Sequence, residues 1–307
     1  MSTTATFPAL TALGHAVDTD PAAFGELRTS DDIAHDVAAL HARMAEDGYL
    51  FIRNLLPRDL VLEARRSLLE RLAAAGGLHP DHPLMDGIAH PEKKIAFMPA
   101  LANPNAEIER VIYGPELMGF YERFLGGAVR HFDYTWVRSV GLGHGSTPHC
   151  DMVYMGRGTH RLFTCWVPYG EIPLDESPLV ILENSHRQSE RLKAYLASDV
   201  DTYCENRPHE VKKVRDEGGW LHNGSLSNNP VSLREKLGGR WLTAQFRPGD
   251  FLTFPMNTVH ASLDNATDRI RLSTDSRYQL ASEPADERWV GANPPLHGPR
   301  AKRGFVC

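Results

Sequence analysis

Two short segments, separated by about a hundred residues, carry side chains that could form a metal centre. The first contains His149 and Asp151, and the second contains His260, with Arg271 eleven residues further along the chain. Two imidazoles and one carboxylate form the facial ligand set that leaves coordination positions open on a mononuclear iron(II) ion. A guanidinium binds a carboxylate through two parallel hydrogen bonds, so it could anchor a dicarboxylate co-substrate. This combination indicates an oxygenase.

The spacing of His149 and Asp151 suggests how they could share one ion. Side chains two residues apart on a β-strand lie on the same face, so a single strand could present both. The same His-x-acid spacing occurs four times in the chain, in His79/Asp81, His90/Glu92, His131/Asp133 and His149/Asp151. A proline separates the members of the first two pairs, which places them in loops. The turn-forming residues 141–148 favour the fourth pair, and His131/Asp133 stays open as an alternative.

Upstream of these segments, the sequence predicts a helical part over residues 31–128. A first helix should begin after Ser30 and extend to Asp47, because apolar residues recur there every three or four positions. Two further helices are expected after Pro57 and near residues 115–125. These helices would flank whatever structure holds the metal ligands.

From about residue 129 onward, short apolar runs alternate with Gly-, Pro- and Asn-containing turns. This pattern is typical of a β-sandwich or β-barrel. The predicted strands are 132–140, 162–169, 179–182, 241–246, 251–254 and 270–273. Residues 187–240, with a helix predicted at 189–197, interrupt this core of residues 129–280. We interpret them as an insertion that carries function or covers a site.

The expected organisation is a single domain over residues 31–307, because no linker divides the chain. An N-terminal arm, residues 1–30, precedes this domain. The last part of the domain is a C-terminal tail, residues 281–307. The His- and Pro-rich residues 78–104 and the insertion are loop regions that could contact a substrate. Lys93 and Lys94 could contact an acidic substrate or co-substrate, although the pattern favours a solvated charge pair. Trp220, His222 and Asn223 are candidates for a substrate lid, with surface packing as the equal alternative.

The composition argues against several classes of partner. The formal net charge is −6, with 33 Lys and Arg against 39 Asp and Glu, which disfavours a nucleic-acid or anionic-membrane surface. No apolar run approaches the roughly 18 residues of a membrane span. The N-terminus lacks the pattern of a secretion signal. The four scattered cysteines predict neither a zinc ribbon nor a disulfide framework. We therefore expect a cytoplasmic protein with a small-molecule partner, and the oligomeric state stays open, a homodimer included.

Several segments resemble proteins of the phytanoyl-CoA dioxygenase type. Residues 47–56 are similar to the family's opening, and residues 166–186 resemble its segment that ends in Pro-Gly-Ser-His. Residues 249–271, with Gly-Asp before an apolar strand, then His-x-Ser and a later Arg, resemble its distal motif. The resemblance covers roughly residues 33–280. The chain departs from the family pattern at residues 183–184, which are Glu-Asn instead of Pro-Gly, and in the long insertion that follows.

The resemblance implies a mainly β fold with flanking helices, namely a double-stranded β-helix (a cupin-like jelly roll). It implies iron(II) bound by His149, Asp151 and His260, with 2-oxoglutarate and O₂ as co-substrates. In the family pattern, Arg271 would pair with the distal carboxylate of 2-oxoglutarate, and the hydroxyl of Ser262 would assist.

Two assignments around the co-substrate have alternatives. Trp166 is expected either to line the co-substrate pocket or to fill the protein core. Arg269 competes with Arg271, because strand alternation puts both on one side, and the family's spacing from the histidine favours Arg271.

The activity that the resemblance implies is hydroxylation of an unactivated C–H bond in a small or medium-sized organic molecule, with release of succinate and CO₂. Related halogenases lack the carboxylate ligand, so Asp151 favours hydroxylation, with desaturation and ring closure as alternatives. A cupin-like isomerase or hydrolase with zinc or manganese could use the same ligands, but Arg271 would then have no assigned partner. An intact ligand set argues against a catalytically silent jelly-roll binding protein.

Overall fold

Helices dominate the first part of the chain and strands the second. The computed structural model describes residues 9–93 and 98–307. The strands are β1 (Thr11–Ala12), β2 (His15–Ala16), β3 (Phe24–Glu26), β4 (Leu50–Ile52), β5 (Val129–His131), β6 (Trp136–Val140), β7 (Phe163–Pro168), β8 (Leu179–Leu182), β9 (Thr202–Cys204), β10 (Trp241–Thr243), β11 (Phe251–Pro255), β12 (His260–Ser262), β13 (Arg271–Leu280) and β14 (Arg303–Phe305). The α-helices are α1 (Val37–Asp47), α2 (Arg58–Ala74), α3 (Ala106–Ile112), α4 (Pro115–Leu125), α5 (Met152–Met155), α6 (Lys193–Leu196), α7 (Pro208–Glu210) and α8 (Pro230–Leu237). A π-helical segment is Val211–Asp216, and 3₁₀ turns are Asp31–Ile33, Leu84–Asp86, Pro99–Leu101, Ser185–Arg187 and Pro299–Ala301.

Two β-sheets pack face to face. The larger has the strand order β4-β11-β7-β13-β5, with β6 also paired to β13, and the smaller has the order β12-β8-β10-β3. Trp166 and Leu252 of the larger sheet share one buried apolar cluster with Ile181 and Leu242 of the smaller. The predicted mainly β fold with flanking helices is confirmed. Among the described residues the sheets stay open and form no closed barrel.

The helices cover the outer face of the larger sheet. Leu68 of α2 and Phe120 of α4 belong to one buried cluster with Val167 and Phe251 of the sheet. Tyr121 of α4 stacks on Tyr278 of β13, with ring centroids 4.1 Å apart. The helical part thereby supports the sheet from behind and leaves its inner face to the site.

The predicted N-terminal arm contributes a strand to the smaller sheet. β3 pairs in parallel with β10, with Phe24 opposite Trp241. Residues 1–8 of the predicted arm lie outside the described residues.

The helix predicted from Ser30 begins later, at Val37. The side chain of Asp36 accepts a hydrogen bond from the backbone N–H of Ala39 and so caps the helix. The preceding Asp31–Ile33 forms a 3₁₀ turn instead. The prediction from apolar periodicity alone therefore placed the start of the helix too early, before the residue that caps it.

The insertion is tied to the C-terminal tail. β9 of the insertion pairs in parallel with β14 of the tail. Cys204 and Cys307 form a disulfide, with Cα atoms 5.7 Å apart, which the scattered cysteine spacing did not predict. The helix predicted at 189–197 is confined to α6. Within the described part of the chain, none of the helices has both the length and the apolar character that a membrane crossing requires.

We predict that Phe24→Ala lowers the free energy of unfolding by about 3 kcal/mol, because the change leaves a cavity where a phenyl ring is 1% exposed. The exposed Glu26 on the same strand supplies the control, and Glu26→Ala should change stability by less than about 0.5 kcal/mol. Urea unfolding measures both values. Equal, small effects of the two substitutions would contradict the packing of β3 described above.

Candidate metal centre and co-substrate pocket

Three potential metal ligands meet between the two sheets. The Nε2 atoms of His149 and His260 lie 3.9 Å and 4.0 Å from Oδ1 of Asp151. The ligand atoms of all three side chains lie within 4.8 Å of one another. Asp151 and His260 are buried, and His149 is largely so. The group is compact enough for a single ion to contact all three side chains.

Backbone pairing, and not a regular strand, brings these residues together. His149 and His260 exchange two backbone hydrogen bonds, each with an N···O distance of 3.0 Å. Asp151 has helical backbone angles and directly precedes α5. The prediction that one strand presents both His149 and Asp151 was therefore wrong, although the two side chains do converge. Cys150 between them is buried in an apolar cluster.

Hydrogen bonds orient both imidazoles. Nδ1 of His149 lies 2.7 Å from the carbonyl oxygen of Thr147, and Nδ1 of His260 lies 3.1 Å from that of Thr258. Because a carbonyl oxygen only accepts, each Nδ1 donates and each Nε2 keeps its lone pair for a metal. Burial, with nearby His260, lowers the pKa of His149 to about 4, and burial also lowers the pKa of His260. Both rings are neutral near pH 7, which is the metal-binding form.

The larger sheet engages the second carboxylate oxygen of Asp151. Nη2 of Arg277 lies 3.1 Å from Oδ2, and the hydroxyl of Thr164 donates a hydrogen bond to the same atom. Burial alone would raise the pKa of Asp151, but the charge of Arg277, helped by the two histidines and by Thr164, lowers it below the usual value. The carboxylate is therefore ionised, with Oδ2 paired and Oδ1 on the side of the imidazoles.

Arg277 and Thr164 were not identified from the sequence. Arg277 lies six residues after Arg271 on the same strand, so strand alternation puts both on the inner face of the sheet. Thr164 pairs in register with Arg277 across β7 and β13. Alternation along β13 could have found Arg277, whereas Thr164 required the strand register.

Arg271 is a buried cation on the same cavity wall. Its side chain is 3% exposed, and its Nη1 donates a hydrogen bond to the hydroxyl of Ser273. Its Nε has no hydrogen-bond partner among the described residues. None of their carboxylates forms an ion pair with it, and the charges of Asp275 and Glu176 act on it from beyond ion-pair distance. Burial lowers the pKa of Arg271 to about 10, so it stays charged at pH 7. An anion could be accepted at this position.

The competing arginine has a different environment. Arg269 is 43% exposed, and its Nε lies 3.4 Å from a carboxylate oxygen of Glu176. It is not among the residues that line the cavity, whereas Arg271 is. The two arginines therefore differ in exposure, in partner and in access to the cavity.

Ser262 and Trp166 also line the cavity. The hydroxyl oxygen of Ser262 accepts a hydrogen bond from the backbone N–H of Ser146 at 2.8 Å and lies 3.1 Å from the hydroxyl of Ser177. Trp166 is 1% exposed and packs edge-on against Phe246. The Cζ atom of Arg271 lies 5.9 Å from the Trp166 ring centroid. Trp166 thus both fills the core and lines the cavity.

The other His-x-acid pairs do not belong to this cluster. His131 stacks on Tyr113, with ring centroids 3.6 Å apart. The loop pairs His79/Asp81 and His90/Glu92 form local turns. In each, the backbone N–H of the acidic residue donates a hydrogen bond to Nδ1 of the histidine. The ammonium of Lys93 donates to the carbonyl of Ala75, and Lys94 lies outside the described residues.

The metal cluster opens into a cavity of about 610 Å³. Trp220 and Asn223 of the insertion line it, as does His297 of the tail, which no sequence pattern had indicated. His222 is absent from its lining and accepts a hydrogen bond from the backbone N–H of Gly224. Two of the three residues proposed in the insertion therefore reach the cavity.

Comparisons with known proteins agree with this architecture. The family model for phytanoyl-CoA dioxygenase (PhyH) matches residues 44–273. A curated relative, the 1-deoxypentalenic acid 11-beta-hydroxylase of Streptomyces exfoliatus, is 25% identical over 257 residues, which cover 80% of this chain and 82% of the relative.

Solved structures show a similar fold. The epimerase SnoN, in complex with Fe3+, alpha ketoglutarate and nogalamycin RO, is 20% identical with a TM-score of 0.54, over 85% of this chain and 92% of SnoN. EctD from S. alaskensis with bound Fe is 16% identical with a TM-score of 0.54, over 97% of this chain and 98% of EctD.

We predict that Arg277→Met weakens iron(II) binding by about 10- to 100-fold, because Asp151 loses the cation that holds its second oxygen. Anaerobic competition with a chelator measures the affinity. The matched control is Arg65→Met, which also removes a buried arginine, one bonded to the carbonyl oxygens of Tyr169 and Met85. It should leave the iron affinity unchanged, and equal losses in both variants would contradict the role of Arg277.

Proposed function

Because this chain belongs to the phytanoyl-CoA dioxygenase (PhyH) family and is thus an iron- and 2-oxoglutarate-dependent oxygenase, we propose that it hydroxylates an unactivated C–H bond of a small or medium-sized organic molecule. One observation carries the proposal. The compact cluster of two neutral imidazoles and one carboxylate lies in the same cavity as a buried arginine that forms no ion pair with a carboxylate of the described residues. The relative named as a hydroxylase supports this reaction over other oxidations.

In the proposed site, His149, Asp151 and His260 hold iron(II). The donor set fits this ion, because two imidazole nitrogens and one carboxylate oxygen leave room for a co-substrate and O₂. When bound, iron(II) with 2-oxoglutarate supplies an oxidative decarboxylation that is coupled to hydroxylation and releases succinate and CO₂. The hydrogen bonds from both Nδ1 atoms keep the rings oriented, and Arg277 keeps Asp151 ionised.

Arg271 is the proposed anchor of 2-oxoglutarate. A buried guanidinium without a counter-ion is costly, and the distal carboxylate would remove that cost through a bidentate pair. The Ser262 hydroxyl and the Trp166 ring lie on the same cavity wall and would contact the bound co-substrate. A cupin-like isomerase or hydrolase would leave this cation uncompensated, so the charge on Arg271 favours the oxygenase.

The cavity walls would orient the substrate and exclude water. Tyr154 donates a hydrogen bond to the carbonyl of Asn223 at 2.6 Å, which joins the wall near the metal cluster to the insertion. Trp220 of the insertion contributes a further aromatic surface. Exclusion of water strengthens each electrostatic contact inside the site.

We predict that anaerobic addition of iron(II) and 2-oxoglutarate produces a weak visible charge-transfer band, and that admission of air releases succinate. Asp151→Asn should reduce both signals to background, because an amide is a poor replacement for an anionic ligand, while Thr164 can still donate to its oxygen and support the fold. A variant that releases succinate at the parent rate would rule out Asp151 as a ligand. Failure of the parent protein to bind 2-oxoglutarate would refute the proposed function.

We predict that Arg271→Met raises the 2-oxoglutarate concentration for half-maximal succinate release on the order of 100-fold, because a buried charge pair is lost. Iron(II) affinity should change little. Arg269→Met is the matched control and should leave the requirement unchanged, since that side chain pairs with Glu176 outside the cavity. The reverse result, a large effect at Arg269 alone, would exchange the two assignments.

A further inference from the structure

The inner face of the larger sheet carries several charged side chains, most of which are buried. The register of β6 against β13 places Arg138 opposite Ser273 and Trp136 opposite Asp275, so all four side chains share this face. In the described part of the chain, the arginines and carboxylates that line the cavity are Arg138, Asp151, Arg271, Asp275 and Arg277. Three guanidinium groups therefore face two carboxylates.

Each of these arginines has a different partner. Arg277 pairs with Asp151, and Arg271 is the proposed site of the 2-oxoglutarate carboxylate. Arg138 pairs with Asp275 through Nε alone, at 2.7 Å. Its Nη1 and Nη2 make no hydrogen bond to any residue that the structure describes. The Arg138 side chain is 42% exposed, and Arg138 is one of the residues that line the cavity.

The charge balance leaves one positive charge without a partner. Iron(II) and the dianion of 2-oxoglutarate would cancel each other, so their binding leaves three guanidinium groups against two carboxylates. An uncompensated charge in a cavity with restricted water is unfavourable. The free Nη1–Nη2 edge of Arg138 has the planar geometry that receives a carboxylate through two hydrogen bonds.

Three aromatic side chains contribute to the cavity wall beside Arg138. Trp136, Tyr154 and Trp220 line it together with Arg138. Trp136 packs on Trp289 with ring centroids 4.7 Å apart, which fixes its position. Such a wall favours an apolar or ring-shaped body, with a polar group where Arg138 lies.

We propose that Arg138 binds a carboxylate of the substrate, so that the enzyme acts on carboxylic acids with a largely apolar skeleton. This inference rests on the proposed function and names the substrate class for it. A carboxylate at Arg138 could also come from the metal-proximal end of 2-oxoglutarate. The two sources differ in a measurable way, because only the second makes the 2-oxoglutarate requirement depend on Arg138.

The test uses benzoate as the probe and benzamide as its neutral match. Each is added to the anaerobic protein loaded with iron(II) and saturating 2-oxoglutarate, and its affinity is read from the perturbation of the visible band and from the melting temperature. Benzoate should bind at least about tenfold more tightly than benzamide. The neutral amide cannot form an ion pair with the guanidinium of Arg138.

The variant for this test is the double substitution Arg138→Met with Asp275→Asn, which removes the ion pair as a unit and leaves no unpaired buried carboxylate. It should lose the preference for benzoate and keep the parent requirement for 2-oxoglutarate. Arg161→Met is the control for net charge, since Arg161 is exposed and pairs with Glu283 away from the cavity. It should retain the preference.

Three results would overturn the assignment. In the first, the parent protein shows no preference for benzoate or binds neither probe. In the second, the double variant keeps the preference for benzoate. In the third, the 2-oxoglutarate requirement of the double variant rises as it does in Arg271→Met. If the parent shows no visible band, the proposed function fails separately. The melting temperature of the metal-free protein with each probe then still decides whether Arg138 binds a carboxylate.

Discussion

Compensation of buried charge along β13 is the constraint on which the site depends. This strand lies within the larger sheet between β7 and the pair β5 and β6, and alternation brings Arg271, Asp275 and Arg277 to its inner face. Each charge there needs a counter-charge, because water is largely excluded. Arg277 forms an ion pair with Asp151, and Arg271 would form one only when a co-substrate is bound. The larger sheet therefore contributes to the core and also places, beside the candidate metal ligands, a buried positive charge that a dicarboxylate could neutralise.

The wall across the cavity depends on a second buried charge, that of Asp201. This carboxylate is fully buried and accepts hydrogen bonds from the side chains of Trp220, Arg288, His297 and Lys302. Burial opposes its ionisation, but His297, Lys302 and Arg288 together lower the pKa of Asp201. Since Asp201 and Trp220 belong to the insertion and the other three residues to the tail, one carboxylate joins the two segments. Part of the cavity wall thus comes from the insertion and the tail, which are separate from the segments that carry the candidate metal ligands.

The sequence predicted the fold class, and the three candidate metal ligands that it indicated lie close together in the structure. Apolar periodicity located α1, α2 and α4 and the strands β6, β7, β8, β10, β11 and β13. The family resemblance singled out His149, Asp151, His260 and Arg271. The failures share a physical cause, which is dependence on contacts between distant residues. The helical backbone at Asp151, its hydrogen bond from Thr164 and the disulfide between Cys204 and Cys307 all require the register of segments far apart in the chain.

One carboxylate, two imidazoles and a buried guanidinium are proposed to form a single site for iron(II) and 2-oxoglutarate. The decisive measurement is an anaerobic crystal structure of the protein with both bound. We expect an ion about 2 Å from Nε2 of His149, Nε2 of His260 and Oδ1 of Asp151, with the distal carboxylate of 2-oxoglutarate paired to Arg271. An ion bound elsewhere, or a distal carboxylate paired to Arg269 or Arg138, would refute this assignment.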